Sequence, residues 1–75
     1  MAAQAIDWAR RARVDRLVIQ SGPVDALLKL EEAEAVCWRL QGEYASAGRF
    51  GAARGAEAAA YALRGDQFDL VGRYA

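Results

Sequence analysis

Few side chains in this sequence are of types that could carry out chemistry, and none has a catalytic partner. A cysteine nucleophile needs a nearby base or cation to form its thiolate. Cys37 is the only cysteine, and the chain has no histidine. The two serines, Ser21 and Ser46, therefore lack a histidine partner as well, and no glycine-rich phosphate loop follows a strand pattern. We expect a protein that is not an enzyme and that uses no cofactor.

A cluster of acidic residues is the next candidate site. Paired carboxylates can do general acid–base work or bind hard cations. The cluster consists of Glu31, Glu32, Glu34 and Glu43. On a helix these residues spread around the circumference, and only Glu31 and Glu34 stand three residues apart on one side. We expect a solvated helix face and no metal site.

The basic residues near the N-terminus are the candidate site for an alternative function. The cluster consists of Arg10, Arg11, Arg13 and Arg16, with Trp8 close by. Guanidinium groups contact phosphates and an aromatic ring can stack on a base, so the alternative is a nucleic-acid-binding accessory protein. Asp7 and Asp15 each lie four residues from Arg11, and such pairs neutralise part of the cluster. The formal net charge of zero also argues against a nucleic-acid partner.

The most regular pattern in the chain predicts a long central helix. Apolar or small residues recur at steps of four, three, four, three and four, at Ala26, Leu30, Ala33, Cys37, Leu40 and Tyr44. We call these six residues the heptad seam, because this spacing places them in one stripe along a helix. The helix is predicted from Pro23 to Ala47, since proline suits a first helical turn and Asp25 favours the helix dipole there.

A first helix is predicted over residues 3–20. Its apolar face would turn inward and consist of Ala5, Trp8, Ala9, Ala12 and Ile19. Leu17, Val18 and Ile19 are also compatible with a short strand, because β-branched residues favour strands. We favour the helix, since no other segment offers a partner strand.

Two further helices are predicted after a turn at residues 48–51. The third helix would span residues 52–64, with Ala52, Ala56, Ala59 and Leu63 turned inward. Gly65 would end this helix and Asp66 would cap a short fourth one. The fourth would turn Phe68, Val71 and Tyr74 toward the body of the protein. The predicted fold is an all-α bundle of three helices with a short C-terminal fourth, in one domain covering residues 1–75.

The length of the chain predicts a partner. A chain of 75 residues buries only about 60% of the surface that its unfolded form exposes. A disulfide within the chain is excluded by its single cysteine. We therefore expect a protein–protein interaction module that pairs with itself as a dimer or binds another protein, which it could regulate or inhibit. The expected contact residues, within the chain or across an interface, are Leu27, Leu30, Trp38, Leu40 and Tyr44.

Composition and hydropathy predict a location and a source. The sequence shows no secretory signal, and no apolar run approaches the roughly 20 residues of a membrane span. With a single free cysteine, this predicts a cytoplasmic protein without membrane contact. Abundant Ala, Gly and Arg, with one lysine, suggest a GC-rich bacterial or phage genome.

The residues around the predicted turn at 48–51 have a characteristic spacing, with Leu40 and Tyr44 before Gly48-Arg49-Phe50 and Ala53 and Ala60 after it. In this spacing, part of the chain resembles a single tetratricopeptide repeat. Three positions depart from that pattern: Cys37 and Glu57 replace aromatic residues, and Gln41 replaces a glycine. The resemblance covers about 30 residues, once, whereas repeat folds need about three units. It implies a helical hairpin with a protein-binding surface.

Overall fold

The computed structural model describes the backbone of residues 2–74 and the side chains of residues 8–74. Within this range the chain is all-α, as predicted. It forms α1 (Ala2–Ser21), α2 (Pro23–Ser46) and α3 (Phe50–Tyr74). The predicted bounds of the first two helices agree with these to within one residue at each end. α1 stays helical through Leu17–Ile19, so the helix is the correct alternative there.

Two glycines with positive φ make the connections between helices short. Gly22 has a φ of 80° and its N–H donates to the carbonyl of Val18 at 2.7 Å, which closes α1 directly before Pro23 opens α2. Gly48 has a φ of 76°, and the N–H of Arg49 donates to the carbonyl of Tyr44 at 2.8 Å. Glycine adopts this left-handed conformation without the steric cost of a Cβ. Consecutive helices are therefore joined with almost no loop.

α3 runs without a break through Gly65 and Asp66, so the predicted helix end and the fourth helix are wrong. Gly65 does not have a positive φ, so glycine is not needed there for the backbone conformation. The space left by its missing Cβ matters instead. A Cβ built there would lie 2.9 Å from the guanidinium carbon of Arg10 in α1. The carboxylate of Asp66 contacts α1 instead of capping a new helix. Both residues, which resemble a helix boundary in the sequence, instead adjoin α1: Gly65 leaves room for the guanidinium of Arg10, and Asp66 pairs with it.

The core is small and lies where α1 packs on the other two helices. Val14 of α1 packs there with residues from the start of α2 and the second half of α3, namely Ala26, Leu30 and Leu70, with Leu17, Val18, Leu27 and Leu63 around them. Val14 is the largest fully buried side chain among those described. Ala53 and Ala60 are the other buried apolar residues of α3.

α1 is rotated relative to its predicted orientation. Trp8 is 75% exposed and Ile19 is 84% exposed, and Ala9 and Ala12 are exposed between them. The side chain of Ala5, placed on the same face, lies outside the described residues. The inward face instead carries Val14, Leu17 and Val18. Apolar residues therefore occupy two sides of α1, and the chain covers only one of them.

α3 is also turned away from its predicted orientation. The buried alanines are Ala53 and Ala60, whereas Ala52, Ala56 and Leu63 are half-buried and Ala59 is exposed. Over the Cα atoms the protein measures 39 × 31 × 17 Å. The smallest dimension fits about two helix layers, since packed helices lie about 8–10 Å apart. In a protein this thin, every helix has one side that no other helix of the chain covers.

Among residues 2–74, no helix combines enough length and apolar character to cross a membrane.

Candidate interaction surfaces

The N-terminal arginine cluster is divided by a buried carboxylate. Asp66 is 4% exposed, and its Oδ1 lies 3.0 Å from Nη2 of Arg13 and 3.4 Å from Nε of Arg10. The Nε of Arg10 is itself buried and makes no hydrogen bond of good geometry. A buried carboxylate needs such partners, because an unpaired charge is costly away from water. Arg10 and Arg13 therefore join α1 to α3.

Arg11 and Arg16, the other two members of the cluster, are exposed. Arg16 borders a half-open cavity of about 270 Å³ whose apolar walls include Leu17, Leu30 and Leu63. Neither guanidinium forms an ion pair with any other side chain in residues 8–74. The structure therefore leaves two of the four predicted phosphate-contacting groups, Arg11 and Arg16, on the surface without an ion-pair partner among the side chains of residues 8–74.

Asp15 joins α1 to the last residues of α3. The hydroxyl of Tyr74 donates to Oδ1 of Asp15 at 2.6 Å, and Nη1 of Arg73 lies 2.7 Å from the same oxygen. The pKa of Asp15 lies below its ordinary value because Tyr74 and Arg73 both donate to the charged form. The same bond raises the pKa of Tyr74, since ionised tyrosine cannot donate it. The ion pair of Asp15 is with Arg73, and the charge of Arg11, its predicted partner, contributes more weakly to the lowered pKa of Asp15. The side chain of Asp7 lies outside the described residues.

Trp38 is the centre of a polar and aromatic cluster between α2 and α3. Its ring meets that of Tyr61 edge to face, with 5.3 Å between the centroids and an angle of 87°. The guanidinium carbon of Arg64 lies 5.8 Å from each of these two ring centroids. Tryptophan, tyrosine and arginine are the residues most enriched among those that carry binding energy at protein interfaces.

Glu34 holds this cluster in place. Its Oε2 accepts hydrogen bonds from Nε1 of Trp38 at 2.8 Å and from Nη2 of Arg64 at 2.8 Å, and its Oε1 accepts one from Gln67 at 2.8 Å. These donors, first of all the indole of Trp38, hold the pKa of Glu34 below its ordinary value. Glu34 therefore fixes the orientation of both Trp38 and Arg64 instead of belonging to a solvated acidic face. Glu31, Glu32 and Glu43 are exposed, as predicted.

The heptad seam faces the other helices but is deeply buried only at its start. Ala26 and Leu30 are buried, and the four residues that follow in the seam are half-buried: Ala33, Cys37, Leu40 and Tyr44. Cys37 is a free thiol in this apolar setting. Of the five expected contact residues, Leu30 lies in the core of the chain itself. Leu27, Trp38, Leu40 and Tyr44 keep part of their surface.

An exposed stripe on α3 was not predicted from the sequence. It consists of Phe50, Arg54, Glu57, Tyr61, Arg64 and Phe68, and we call these six residues the α3 stripe. Their steps are four, three, four, three and four, so they share one side of the helix. Phe50 is 64% exposed, Tyr61 54% and Phe68 72%. The heptad spacing was available in the sequence, but the assumed helix end at Gly65 separated Phe68 from the other five.

No protein-family model, curated protein or solved structure matches the chain. The resemblance to a tetratricopeptide repeat is therefore not supported by a family match, although α2 and α3 do form a helical hairpin. Among the described side chains, no group of three His, Cys, Asp or Glu residues could hold a metal ion.

Proposed function

We propose that this protein is a small protein–protein interaction module that associates with copies of itself. One observation carries the proposal: several of the largest apolar side chains are outside. Trp8, Ile19, Phe50 and Phe68 are all mostly exposed, whereas Val14 is the largest fully buried side chain among residues 8–74. Large apolar side chains left in water favour contact with another polypeptide. A second polypeptide that covers them would add the burial that the single chain lacks.

The surface that we propose for contact is built around Trp38. Trp38 and Tyr61 are oriented by Glu34 and Arg64 before any partner arrives, which lowers the entropy lost on binding. Leu27 lies eleven residues before Trp38, at the start of α2, where it borders a separate apolar cavity of about 230 Å³. Leu40 and Tyr44 of the heptad seam are half-buried and would gain burial from a partner. Leu30 stabilises the core and is not part of the proposed contact set.

A protein partner is favoured over nucleic acid by the arrangement of charge. Asp66 binds two of the four clustered arginines, Arg10 and Arg13, and adds its own negative charge beside them. Phosphate binding depends on the number of available cations, so Arg11 and Arg16 alone provide little electrostatic affinity. Binding to mixed-sequence DNA or RNA that weakens steeply with added salt would support the alternative instead.

Sedimentation equilibrium tests the proposal. We expect the weight-average mass to rise above the 8.1 kDa of one chain as the protein concentration increases through the micromolar range. The variant Phe68→Ser should shift this rise to higher concentration, because it removes exposed apolar surface without touching the core. A constant mass of 8.1 kDa would exclude self-association and leave a larger protein, regulated or inhibited by this one, as the proposed partner.

A further inference from the structure

We propose that two copies of this chain pair through the α3 stripe, with the two α3 helices antiparallel and a two-fold axis beside Tyr61. This inference rests on the proposed self-association and places the two-fold contact on α3, where Tyr61 and Arg64 adjoin Trp38. The stripe is exposed along its length except at Glu57, which is half-buried. Helix faces with heptad spacing bury their side chains by packing against another helix.

The order of residues along the stripe fits an antiparallel copy. Arg54 and Phe68 each lie seven residues from Tyr61, on opposite sides. A two-fold axis at Tyr61 therefore places Arg54 of one copy opposite Phe68 of the other, where a guanidinium can lie over an aromatic ring. Because a two-fold interface repeats each contact, this pair forms twice.

The charged residues nearer the axis are complementary in the same arrangement. Glu57 lies four residues before Tyr61 and Arg64 lies three residues after it. Antiparallel pairing brings Glu57 of one copy within reach of Arg64 of the other. Arg64 already bonds to Glu34, and its guanidinium has five N–H donors, enough for a second carboxylate. Among residues 8–74, neither Arg54 nor Glu57 has an ion-pair partner.

A parallel arrangement is disfavoured by the same residues. It would place Arg54 against Arg54, Glu57 against Glu57 and Arg64 against Arg64. Like charges that face each other across an interface repel, and they cannot form ion pairs with each other. The distribution of charge along the α3 stripe thus selects both the partner, a second copy, and its direction.

Disulfide trapping tests this geometry. In a Cys37→Ser background, Tyr61→Cys places one cysteine beside the proposed axis, where facing Cα atoms of packed helices lie within disulfide range. We expect rapid oxidation to a covalent dimer. Gly55→Cys, exposed on another side of the same helix, is the matched control and should remain monomeric under the same conditions. A mixture of Arg54→Cys and Phe68→Cys chains should form the mixed disulfide, and this pair leaves Tyr61 in place.

Charge reversal gives a second readout that needs no cysteine. Glu57→Arg should weaken the dimer by about tenfold or more in dissociation constant, because it places a like charge opposite Arg64 of the other copy. Glu31→Arg makes the same charge change on the exposed side of α2 and should leave the dissociation constant unchanged. Circular dichroism of both variants confirms that each is folded.

The two proposals fail in different ways. If sedimentation shows a dimer but Tyr61→Cys oxidises no faster than Gly55→Cys, the α3 interface is wrong and self-association stands. If Glu57→Arg and Glu31→Arg changed the dissociation constant of the dimer equally, the α3 interface would likewise be wrong. A chain that stays monomeric throughout removes self-association together with the interface.

Discussion

At the scale of single residues, two carboxylates connect the helices. Asp66 binds Arg10 and Arg13 of α1, and Glu34 binds Trp38 of its own helix and Arg64 of α3. The sequence suggested that Asp66 caps a helix and that Glu34 lies on a solvated helix face. Neither carboxylate has that role. Both are acceptors for several donors, so each fixes the position of more than one side chain.

Removal of the negative charge at Asp66 should destabilise the fold. Asp66→Asn keeps the shape of the side chain but leaves two guanidinium groups without their carboxylate, and the Nε of Arg10 is buried. We expect a loss of about 1–3 kcal/mol in the free energy of unfolding, measured by urea denaturation. Glu31→Gln, a neutralisation at an exposed position, is the control. Equal stability of Asp66→Asn and the wild type would show that the ion pairs contribute nothing.

Glu34 should make stability depend on pH in the acid range. Its pKa in the folded state is lowered, so its contribution is present above the ordinary glutamate value of about 4.3 and is lost as pH falls through the lowered folded value. The variant Glu34→Gln should be less stable than the wild type at neutral pH and should lose less stability on acidification. Parallel pH profiles for the two proteins would contradict this assignment.

At the scale of helices, the orientation of α1 is the feature that sequence patterns failed to predict. Its wider apolar face, with Trp8 and Ile19, faces outward, and the narrower one around Val14 faces the core. Val14→Ala should cost about 2 kcal/mol, because it leaves a cavity beside buried neighbours. Ile19→Ala should change the free energy of unfolding by less than about 0.5 kcal/mol when measured at low protein concentration. If Ile19→Ala cost more stability than Val14→Ala, the orientation of α1 predicted from the sequence would be the correct one.

Gly65 tests how closely α1 approaches α3. An alanine in place of an exposed mid-helix glycine stabilises a helix by about 1 kcal/mol, and Gly55→Ala should show this gain because its Cβ meets nothing. Gly65→Ala should gain distinctly less, since its Cβ would force the guanidinium of Arg10 away from Asp66. Thermal unfolding of the two variants compares them directly. An equal gain in both would mean that the guanidinium of Arg10 moves aside without a measurable loss of stability.

The sequence predicted what depends on local pattern and missed what depends on pairing between helices. The heptad seam located α2, and Gly22-Pro23 located the α1–α2 connection, because periodicity and backbone preference are local properties. Gly65-Asp66 was misinterpreted because a helix boundary and a close ion-paired helix crossing use the same residue types. The Trp38 cluster was only partly predicted, since Tyr61, Arg64 and Gln67 reach Trp38 or Glu34 from a different helix.

At the scale of the whole molecule, the account depends on apolar surface that one chain does not cover. Trp8 and Ile19 on α1 and the aromatic residues of the α3 stripe lie outside the core. Among residues 8–74, the buried apolar side chains larger than alanine are Val14, Leu30 and Leu70. A dimer through the α3 stripe would leave the outward face of α1 for a further contact. We therefore expect the folded state to gain free energy from association.

The concentration dependence of the unfolding midpoint tests this central claim most directly. Anything that binds the folded state alone stabilises it by mass action, so unfolding of an associated chain depends on the total protein concentration. We predict that the thermal midpoint rises steadily when the concentration is increased by about a hundredfold from the low micromolar range. A midpoint that stays constant over that range, with reversible unfolding, would show that the single chain supplies all of its own stability and would contradict the account.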